Sequence, residues 1–446
     1  MDENNLYSMD GTIPLGKAIP LGLQHILAMF VSNITPIIIL AGICAGAGKI
    51  DSGASAFLVQ NAMIIAGIGT LIQLYPLWKV GAKLPIVMGI SFTFLSVAIS
   101  ISLAHGYGTL MGAVLAGGII EGVLGLFAKY WKKIISPVVA ATVVIGIGFS
   151  LLSVGANSFA GGQGADDFGA AHNWIAGTVT LVVSLVFSIF GNGYIKRISV
   201  LFGLIAGYIL SICLGMVDFA PVASSKIIAL PHLMPFGMEF KLGPIIAITV
   251  IFLVSATETI GDTSAVCALG LNRDVTDKEL SGSIACDGFI SSLSSVFGCL
   301  PITSFSQNVG LVAMTKVVNR FTIATGAVIM ILAGVFPMFG ALLATLPDAV
   351  LGGCTIMMFG TIVVSGLQMI SKCGFSQRNT VIAALSLSIG LGFTQCADLF
   401  AIFPQMVQTV FAQNCVAVVF VVAIVLNLIL PQNMEAEHPA QSENAK

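Results

Sequence analysis

Apolar stretches about as long as a bilayer is thick recur along almost the whole chain. A helix that crosses a membrane needs roughly 20 apolar residues. Fourteen segments are candidates: 19–44, 55–78, 84–104, 109–128, 134–156, 174–191, 199–220, 244–268, 283–299, 300–315, 321–346, 349–371, 379–400 and 412–431. Only 9% of the 446 residues are charged, against about 25% in soluble domains. The sequence therefore predicts an all-α integral membrane protein.

The number of positively charged residues alternates between high and low from one predicted loop to the next. With a cytoplasmic N-terminus, the even-numbered loops hold 13 Lys and Arg residues, the odd-numbered loops hold 3 and the termini hold 2. Positive residues concentrate on the cytoplasmic side of membrane proteins. The asymmetry therefore favours fourteen spans with both termini in the cytoplasm. Seven spans in each half would make the second half an inverted copy of the first.

Two short segments interrupt this apolar pattern at corresponding places in the two halves. Segment 300–310 begins with a Leu-Pro pair and then gathers hydroxyl and amide side chains. Segment 84–94 also begins with Leu-Pro, and its proline lies 216 positions before the other (301 − 85). Irregular backbone survives at membrane depth only where it is buried in protein or lines a cavity. The pair therefore predicts a transporter whose binding site lies where the two broken segments, spans 3 and 10, meet.

Few ionisable residues fall inside the predicted spans, and each is a candidate for function because charge is costly there. Glu258 and Asp262 are spaced i, i+4, so both carboxylates lie on one helix face. They could accept an N–H from a ligand, carry a proton, or form a structural pair. Asp287 stands alone in a serine-rich span, as a proton-linked carboxylate or a buried structural acid. His25 could titrate or be structural.

Glu121 is a different case, because it lies about two helical turns from Lys129. We expect its side chain to snorkel towards the cytoplasmic interface.

Motifs for enzymatic chemistry are absent from the sequence. There is no H-E-x-x-H, G-x-S-x-G or G-x-x-x-x-G-K-[ST] pattern. The five histidines show no paired spacing and the nine cysteines no C-x-x-C spacing, so neither a metal nor another cofactor is expected. A net charge of −2 gives no basic face for nucleic acid. Transport driven by an ion gradient is the expected function.

The decapeptide Gln-Asn-Val-Gly-Leu-Val-Ala-Met-Thr-Lys at 307–316 fits the pattern [QEP]-N-x-G-x-x-x-x-T-[RKG]. This is the signature of the nucleobase–ascorbate transporter family, the xanthine/uracil permeases, and the resemblance extends over essentially the whole chain. It implies a seven-plus-seven inverted repeat with short β-strands at the start of spans 3 and 10. It also implies a homodimeric, proton-coupled symporter of the bacterial cytoplasmic membrane, with an elevator-like motion.

The resemblance further implies a core domain and a gate domain, each built from both halves. The core would comprise 17–131 and 241–346, and the gate, with the dimer interface, 132–240 and 347–431. Segments 1–16 and 432–446 would be cytoplasmic tails.

Individual site residues follow from the same resemblance. Those expected at the substrate are Glu258, Gln307, Phe92, Phe305 and Ser306. Those expected to serve proton coupling or site integrity are Asp287, Asp262, His25 and Asn308.

The first residue of the signature bears on the substrate. Uracil-type members usually carry Glu there and His at the position of Asp262, whereas this chain has Gln307 and Asp262. A glutamine amide can bond bidentately to the alternating C=O and N–H groups of an oxopurine edge. Xanthine or urate is therefore the expected substrate. The alternatives are a uracil permease, an anion transporter or channel of similar seven-plus-seven build and, third, an intramembrane enzyme.

Overall fold

The computed structural model of the protein describes residues 7–51, 53–131, 136–223, 225–226, 228–412 and 414–431. The first half contains α1 (Leu15–Gly46), α2 (Ala54–Leu74), β1 (Met88–Ile90), α3 (Leu95–His105), α4 (Tyr107–Leu126), α5 (Ala128–Trp131), α6 (Pro137–Phe159), α7 (Ala171–Phe190), α8 (Tyr194–Arg197), α9 (Ser199–Cys213) and α10 (Ala220–Ala223). A 3₁₀ turn, Phe92–Phe94, joins β1 to α3. The predicted tail 432–446 lies outside the described residues.

The second half repeats this order of long helices around a strand. It contains α11 (Leu242–Gly270), α12 (Asp277–Val296), β2 (Ile302–Ser304), α13 (Ser306–Thr315), α14 (Arg320–Val335), α15 (Pro337–Ala344), α16 (Asp348–Cys373), α17 (Gln377–Gln395), α18 (Gln405–Val407) and α19 (Cys415–Ile429). A 3₁₀ turn (Ala397–Phe400) precedes α18 and a π-helical segment (Gln408–Ala412) follows it.

Seven helices in the described part of the chain are long and apolar enough to cross a membrane: α1, α2, α4, α6, α7, α11 and α16. Helices α14 and α15 make an eighth span if they are taken together, although they bend by 80° at their junction. The protein is therefore a mostly helical membrane protein. The other predicted spans fall on shorter or more polar helices, such as α9, α12 and α19, and on the two segments that contain the strands.

The two strands pair with each other in an antiparallel ladder. Met88 lies opposite Ser304, Gly89 opposite Thr303, and Ile90 opposite Ile302. Bonds from Ser91 N to the Pro301 carbonyl and from Phe305 N to the Val87 carbonyl continue the ladder at both ends. Equivalent positions in this ladder are 214 residues apart (303 − 89). Exchanging the strands reproduces the same register, as in any antiparallel pair of equal length, so a local pseudo-twofold axis relates the two strands.

Side chains from neighbouring helices complete the hydrogen bonding of the strands. The Met88 N–H donates to Thr70 Oγ1 (3.0 Å), and the Ile90 N–H donates to Asn33 Oδ1 (2.8 Å). On the other strand, the Ile302 N–H donates to Ser291 Oγ (3.0 Å). Buried backbone that leaves these groups unpaired would cost several kcal/mol at membrane depth. Polar residues in α1, α2 and α12 therefore stabilise the interruption.

The helices pack as two groups. In the first group, α1, α2, α11 and α12 contact the strands, and α4 and α14 pack on these four helices. In the second group, α6, α7, α9, α16, α17 and α19 pack mainly on one another. Glycines bring α4 and α12 close, because a Cβ added to Gly288 would lie 2.2 Å from Gly122 N and 2.6 Å from the Gly118 carbonyl oxygen.

This packing makes the expectation for Glu121 wrong. Its side chain is 1% exposed, and neither carboxylate oxygen has a hydrogen-bond partner among the described residues. Glu121 is next to Gly122, at the close crossing with α12, so it is buried against that helix instead of reaching the interface. Asp287 of α12 is near enough to interact with it electrostatically.

Candidate functional site

The candidate site lies around the strand pair, where α11, α12 and α13 each present polar side chains to it. Helix α11 carries Glu258 and Asp262 on one face, α12 carries Asp287, and α13 begins at Ser306 immediately after β2. The structure thus brings acids from two helices and the amides of the signature segment to one place.

Glu258 is held by a side chain from the opposite half of the chain. The Thr93 hydroxyl, in the turn after β1, donates to Glu258 Oε2 over 2.9 Å. This is the only hydrogen bond of the Glu258 side chain among the described residues, and the side chain is partly exposed. One carboxylate oxygen is therefore anchored while the other can accept a hydrogen bond from a ligand.

Asp262 is one turn further along α11, and both its oxygens are engaged. Ser304 Oγ donates to Oδ2 (2.8 Å), and Ser306 Oγ donates to Oδ1 (2.7 Å). The two serines flank Phe305 at the junction of β2 and α13. Asp262 therefore fixes the start of α13, which directly precedes Gln307 and Asn308.

Asp287 is completely buried in α12 and is joined to α11. The Thr259 hydroxyl donates to its Oδ2, and its Oδ1 has no hydrogen-bond partner among the described residues. A carboxylate in this environment is costly unless its charge is offset or neutralised by a proton. Thr259 neighbours Glu258 in sequence, so α11 links Asp287 to the more exposed acid.

His25 and Asn308 form a contact between α1 and α13. Asn308 Nδ2 lies 3.2 Å from His25 Nδ1 and donates to the His25 carbonyl oxygen over 2.9 Å. Both side chains are buried, and Asn308 Oδ1 has no partner among the described residues. This pair holds the first turn of the signature helix against α1.

Aromatic rings border the same region. The Phe92 ring meets Phe359 of α16 edge to face, with centroids 5.1 Å apart. Phe305 lies over β1, where a Cβ on Gly89 would come within 2.7 Å of its Cε2 atom. Gly89 therefore provides the space that the Phe305 ring occupies.

Gln307 and Ser306 are exposed, although they stand at the end of a buried strand. The Gln307 side chain makes no hydrogen bond with any residue that the structure describes. Its amide, with both donors and an acceptor, is available to a ligand. Gln307 follows Ser306, whose hydroxyl bonds to Asp262 one turn from Glu258 on α11. In the same described ranges, no group of three or more His, Cys, Asp and Glu residues could hold a metal ion.

Three hydroxyl side chains that matter to this geometry were not singled out from the sequence as site residues. Thr93 orients Glu258, Thr259 bonds to Asp287, and Ser304 bonds to Asp262. A single threonine or serine in an apolar span gives no distinctive sequence signal. Ser304 was visible only as one member of the polar segment 300–310.

The fold is shared with solved transport proteins. The transmembrane domain of a cyanobacterium bicarbonate transporter, BicA, superposes with a TM-score of 0.58 at 14% identity, over 91% of this chain and 97% of that one. The murine anion transporter Slc26a9 in its inward-facing state superposes with a TM-score of 0.62 at 12% identity, over 95% and 70% of the two chains. At such identities the likeness concerns the fold alone. The shared fold is that of membrane-embedded transport proteins.

Sequence relatives define the family. Residues 16–399 match the xanthine/uracil model described as "Permease family". The xanthine permease XanQ of Escherichia coli is 32% identical over 97% of this chain and 95% of its own length. The uric acid permease PucK of Bacillus subtilis is 35% identical over 85% and 88% of the two chains. The chain therefore belongs to the xanthine/uracil permease family, as the signature at 307–316 predicts.

Proposed function

We propose that this protein takes up an oxopurine nucleobase, xanthine or urate, across the bacterial cytoplasmic membrane together with protons. The observation that carries the proposal is the pairing of a partly exposed carboxylate with an unpartnered amide at the strand pair. Glu258 has one anchored oxygen, and Gln307 has no protein partner among the described residues. A carboxylate accepts an N–H strongly, and an amide can both donate and accept along a planar base.

The relatives support the same class of substrate. XanQ is a xanthine permease and PucK is a uric acid permease. Gln307 favours a purine edge over uracil. Uracil-type members of the family usually carry Glu at this position. A site whose polar groups match one hydrogen-bonding pattern rejects bases that would leave those groups unpaired.

The packing supports a seven-plus-seven inverted repeat with fourteen spans. The largest contacts have counterparts when the two halves are exchanged: α2 packs on β1 as α12 packs on β2, and α4 packs on α12 as α14 packs on α2. The same exchange relates α7–α9 to α17–α19. In this arrangement α3 with β1 and α13 with β2 are spans 3 and 10, and the pseudo-twofold axis lies in the membrane plane.

The helix group around the strands would be the moving core, and the other group the gate and dimer surface. Elevator-like motion would carry the strand pair, with the base, past Phe359 of the gate. Asp287 is our candidate for the coupling group, because a proton would remove its charge while the core crosses the apolar barrier. Asp262, His25 and Asn308 would maintain the site, and Phe92, Phe305 and Ser306 would contact the base.

An anion transporter is the second candidate, because two solved structures of the same fold carry that description. Glu258 disfavours it, since bicarbonate-sized inorganic anions lack the ring N–H groups with which an oxopurine can donate to this carboxylate.

Uptake of radiolabelled xanthine by intact cells that express the protein tests the proposal. We expect accumulation that an uncoupler abolishes, and competition by urate and xanthine but not by uracil. Competition by uracil alone would favour the uracil permease, and transport of inorganic anions without any base would favour the second candidate.

A further inference from the structure

A second polar cavity lies apart from the strand pair, between the two helix groups. It has a volume of about 370 Å³ and is lined by α1, α3, α6, the loop after α6 and the start of α16. Pockets that hold small ligands have volumes from about 300 Å³ upwards. Exposed residues at its rim, Gly42, Gly46, Ser153 and Gln163, open it to solvent. We call this cavity the outer vestibule.

Polar side chains without protein partners converge on the outer vestibule. They come from four elements of the chain: Ser96, Ser153, Asn157, Gln163 and Asp348. None of these side chains makes a hydrogen bond or ion pair with any residue in the described ranges. Such a concentration of unused donors and acceptors around one solvent-accessible cavity is typical of a ligand site.

Asp348 is the only charged group of this lining. It is the first residue of α16 and is partly buried. Glycines leave room for it, because a Cβ on Gly162 would lie 2.4 Å from its Oδ2 and a Cβ on Gly42 would lie 3.9 Å from both oxygens. Gly42 lies in α1, in the helix group around the strands, and Gly162 lies in the loop after α6 of the other group, so the carboxylate stands between α1 and this loop.

The loop after α6, which contributes to this lining, is held by a separate polar contact. His172 Nε2 lies 2.7 Å from Asp167 Oδ2, and Asn173 Nδ2 donates to the same oxygen over 3.1 Å. The hydrogen bond from His172 and that from Asn173 lower the pKa of Asp167, so it stays charged at neutral pH. The loop 160–170 that covers the cavity is therefore fixed to α7.

The outer vestibule is adjacent to the candidate site. Ser96 is three residues after Thr93, which bonds to Glu258, and four after Phe92. These separations correspond to about one helical turn, or roughly 5 Å. The edge-to-face contact between Phe92 and Phe359 joins the core to the gate beside this turn. A ligand in the vestibule would thus be separated from Glu258 by the contact between Phe92 and Phe359.

We propose that the outer vestibule is a second binding site for the transported base, occupied before the base reaches Glu258 and Gln307. This inference rests on the proposed function and on the orientation that places α3 and the start of α16 towards the outside. Asp348 accepts an N–H of the base, and Asn157, Gln163 and the serines bond to its carbonyl groups. The vestibule thereby concentrates N–H-rich heterocycles at the entrance.

Labelling of a cysteine in the vestibule tests the inference without requiring transport. The variant Ser153→Cys is made in a parent in which the more accessible native cysteines Cys213, Cys373 and Cys396 are serine. Its reaction with a membrane-impermeant maleimide is followed in intact cells with and without xanthine. The same measurement is repeated with Glu258→Ala added. This change removes the principal hydrogen-bond acceptor of the candidate site at the strand pair.

We expect xanthine to slow labelling of Ser153→Cys at least threefold, both with and without Glu258→Ala. Adding Asp348→Ala should raise the half-protective concentration of xanthine about tenfold, which corresponds to about 1.4 kcal/mol. Asp166→Asn removes an exposed acid, one that does not line the cavity, from the loop after α6. It should leave the half-protective concentration of xanthine unchanged. Labelling without xanthine verifies that each variant is folded and at the surface.

If xanthine no longer protects Ser153→Cys from labelling once Glu258→Ala is added, the inference is overturned, because the protection then originates at the candidate site at the strand pair. Unchanged labelling in xanthine, in cells that accumulate xanthine, would also overturn it while leaving the proposed function intact. If no base is accumulated by the parent protein, the proposed function fails, and this inference fails with it.

Discussion

Replacing Glu258 with glutamine isolates the contribution of its charge. The Thr93 hydroxyl can still donate to the amide oxygen, over the 2.9 Å that separates it from Oε2 in the native protein. The fold should therefore be preserved, and only the charge-assisted bond to the ligand is lost. Such a bond contributes roughly 1.5–3 kcal/mol, so the Kd for xanthine should rise by between about tenfold and 150-fold.

The assay is equilibrium binding of radiolabelled xanthine to purified protein, with Asp166→Asn as a control for loss of an acid elsewhere. Thr93→Val adds a second arm, because it removes the anchoring hydroxyl while keeping the side-chain shape. It should weaken binding about two- to tenfold, as expected for one ordinary hydrogen bond. The double variant should lose less than the sum of the two effects, since Thr93 acts through Glu258. Near-native affinity of Glu258→Gln would refute the reasoning and place the acceptor elsewhere.

Three other variants test separate parts of the site. Gln307→Glu should weaken xanthine uptake and increase competition by uracil, because a carboxylate cannot donate to the base; uptake with an unchanged competition profile would contradict this. Asp287→Asn should bind and exchange xanthine but not accumulate it, since the amide mimics a permanently protonated acid; accumulation that remains sensitive to an uncoupler would move the coupling role to Glu258 or Asp262. Glu121→Gln should leave the melting temperature unchanged or raise it, because it replaces a buried acid without partners by a neutral isostere; a large fall would mean that the acid has a stabilising partner.

Sequence reasoning located the polar segments and acids because charge and broken helices are conspicuous in an apolar chain. The signature at 307–316 and the i, i+4 pair on α11 were visible for that reason. The register of the strands was not, since the Leu-Pro pairs are 216 residues apart but equivalent strand positions are 214 apart (303 − 89). β1 begins at Met88, three residues after Pro85, whereas β2 begins at Ile302, one residue after Pro301, and this accounts for the difference.

Tertiary packing decided what the sequence could not. Glu121 was expected at the interface because of Lys129, but the glycine contacts between α4 and α12 bury it beside Asp287. Thr93 became a candidate only when the fold placed it opposite Glu258, 165 positions away in sequence. The polar lining of the outer vestibule is assembled from α3, α6, the loop after α6 and α16, each of which contributes only one or a few polar residues that are unremarkable in sequence.

The central claim is tested most directly with purified protein in liposomes under an imposed proton gradient. Protein oriented as in the cell should concentrate xanthine inside when the interior is made alkaline, and collapse of the gradient should release it. Glu258→Gln, reconstituted at the same density, should show neither accumulation nor gradient-driven exchange. Accumulation by Glu258→Gln equal to that of the native protein, or xanthine equilibration that ignores the gradient, would contradict proton-coupled transport at this site.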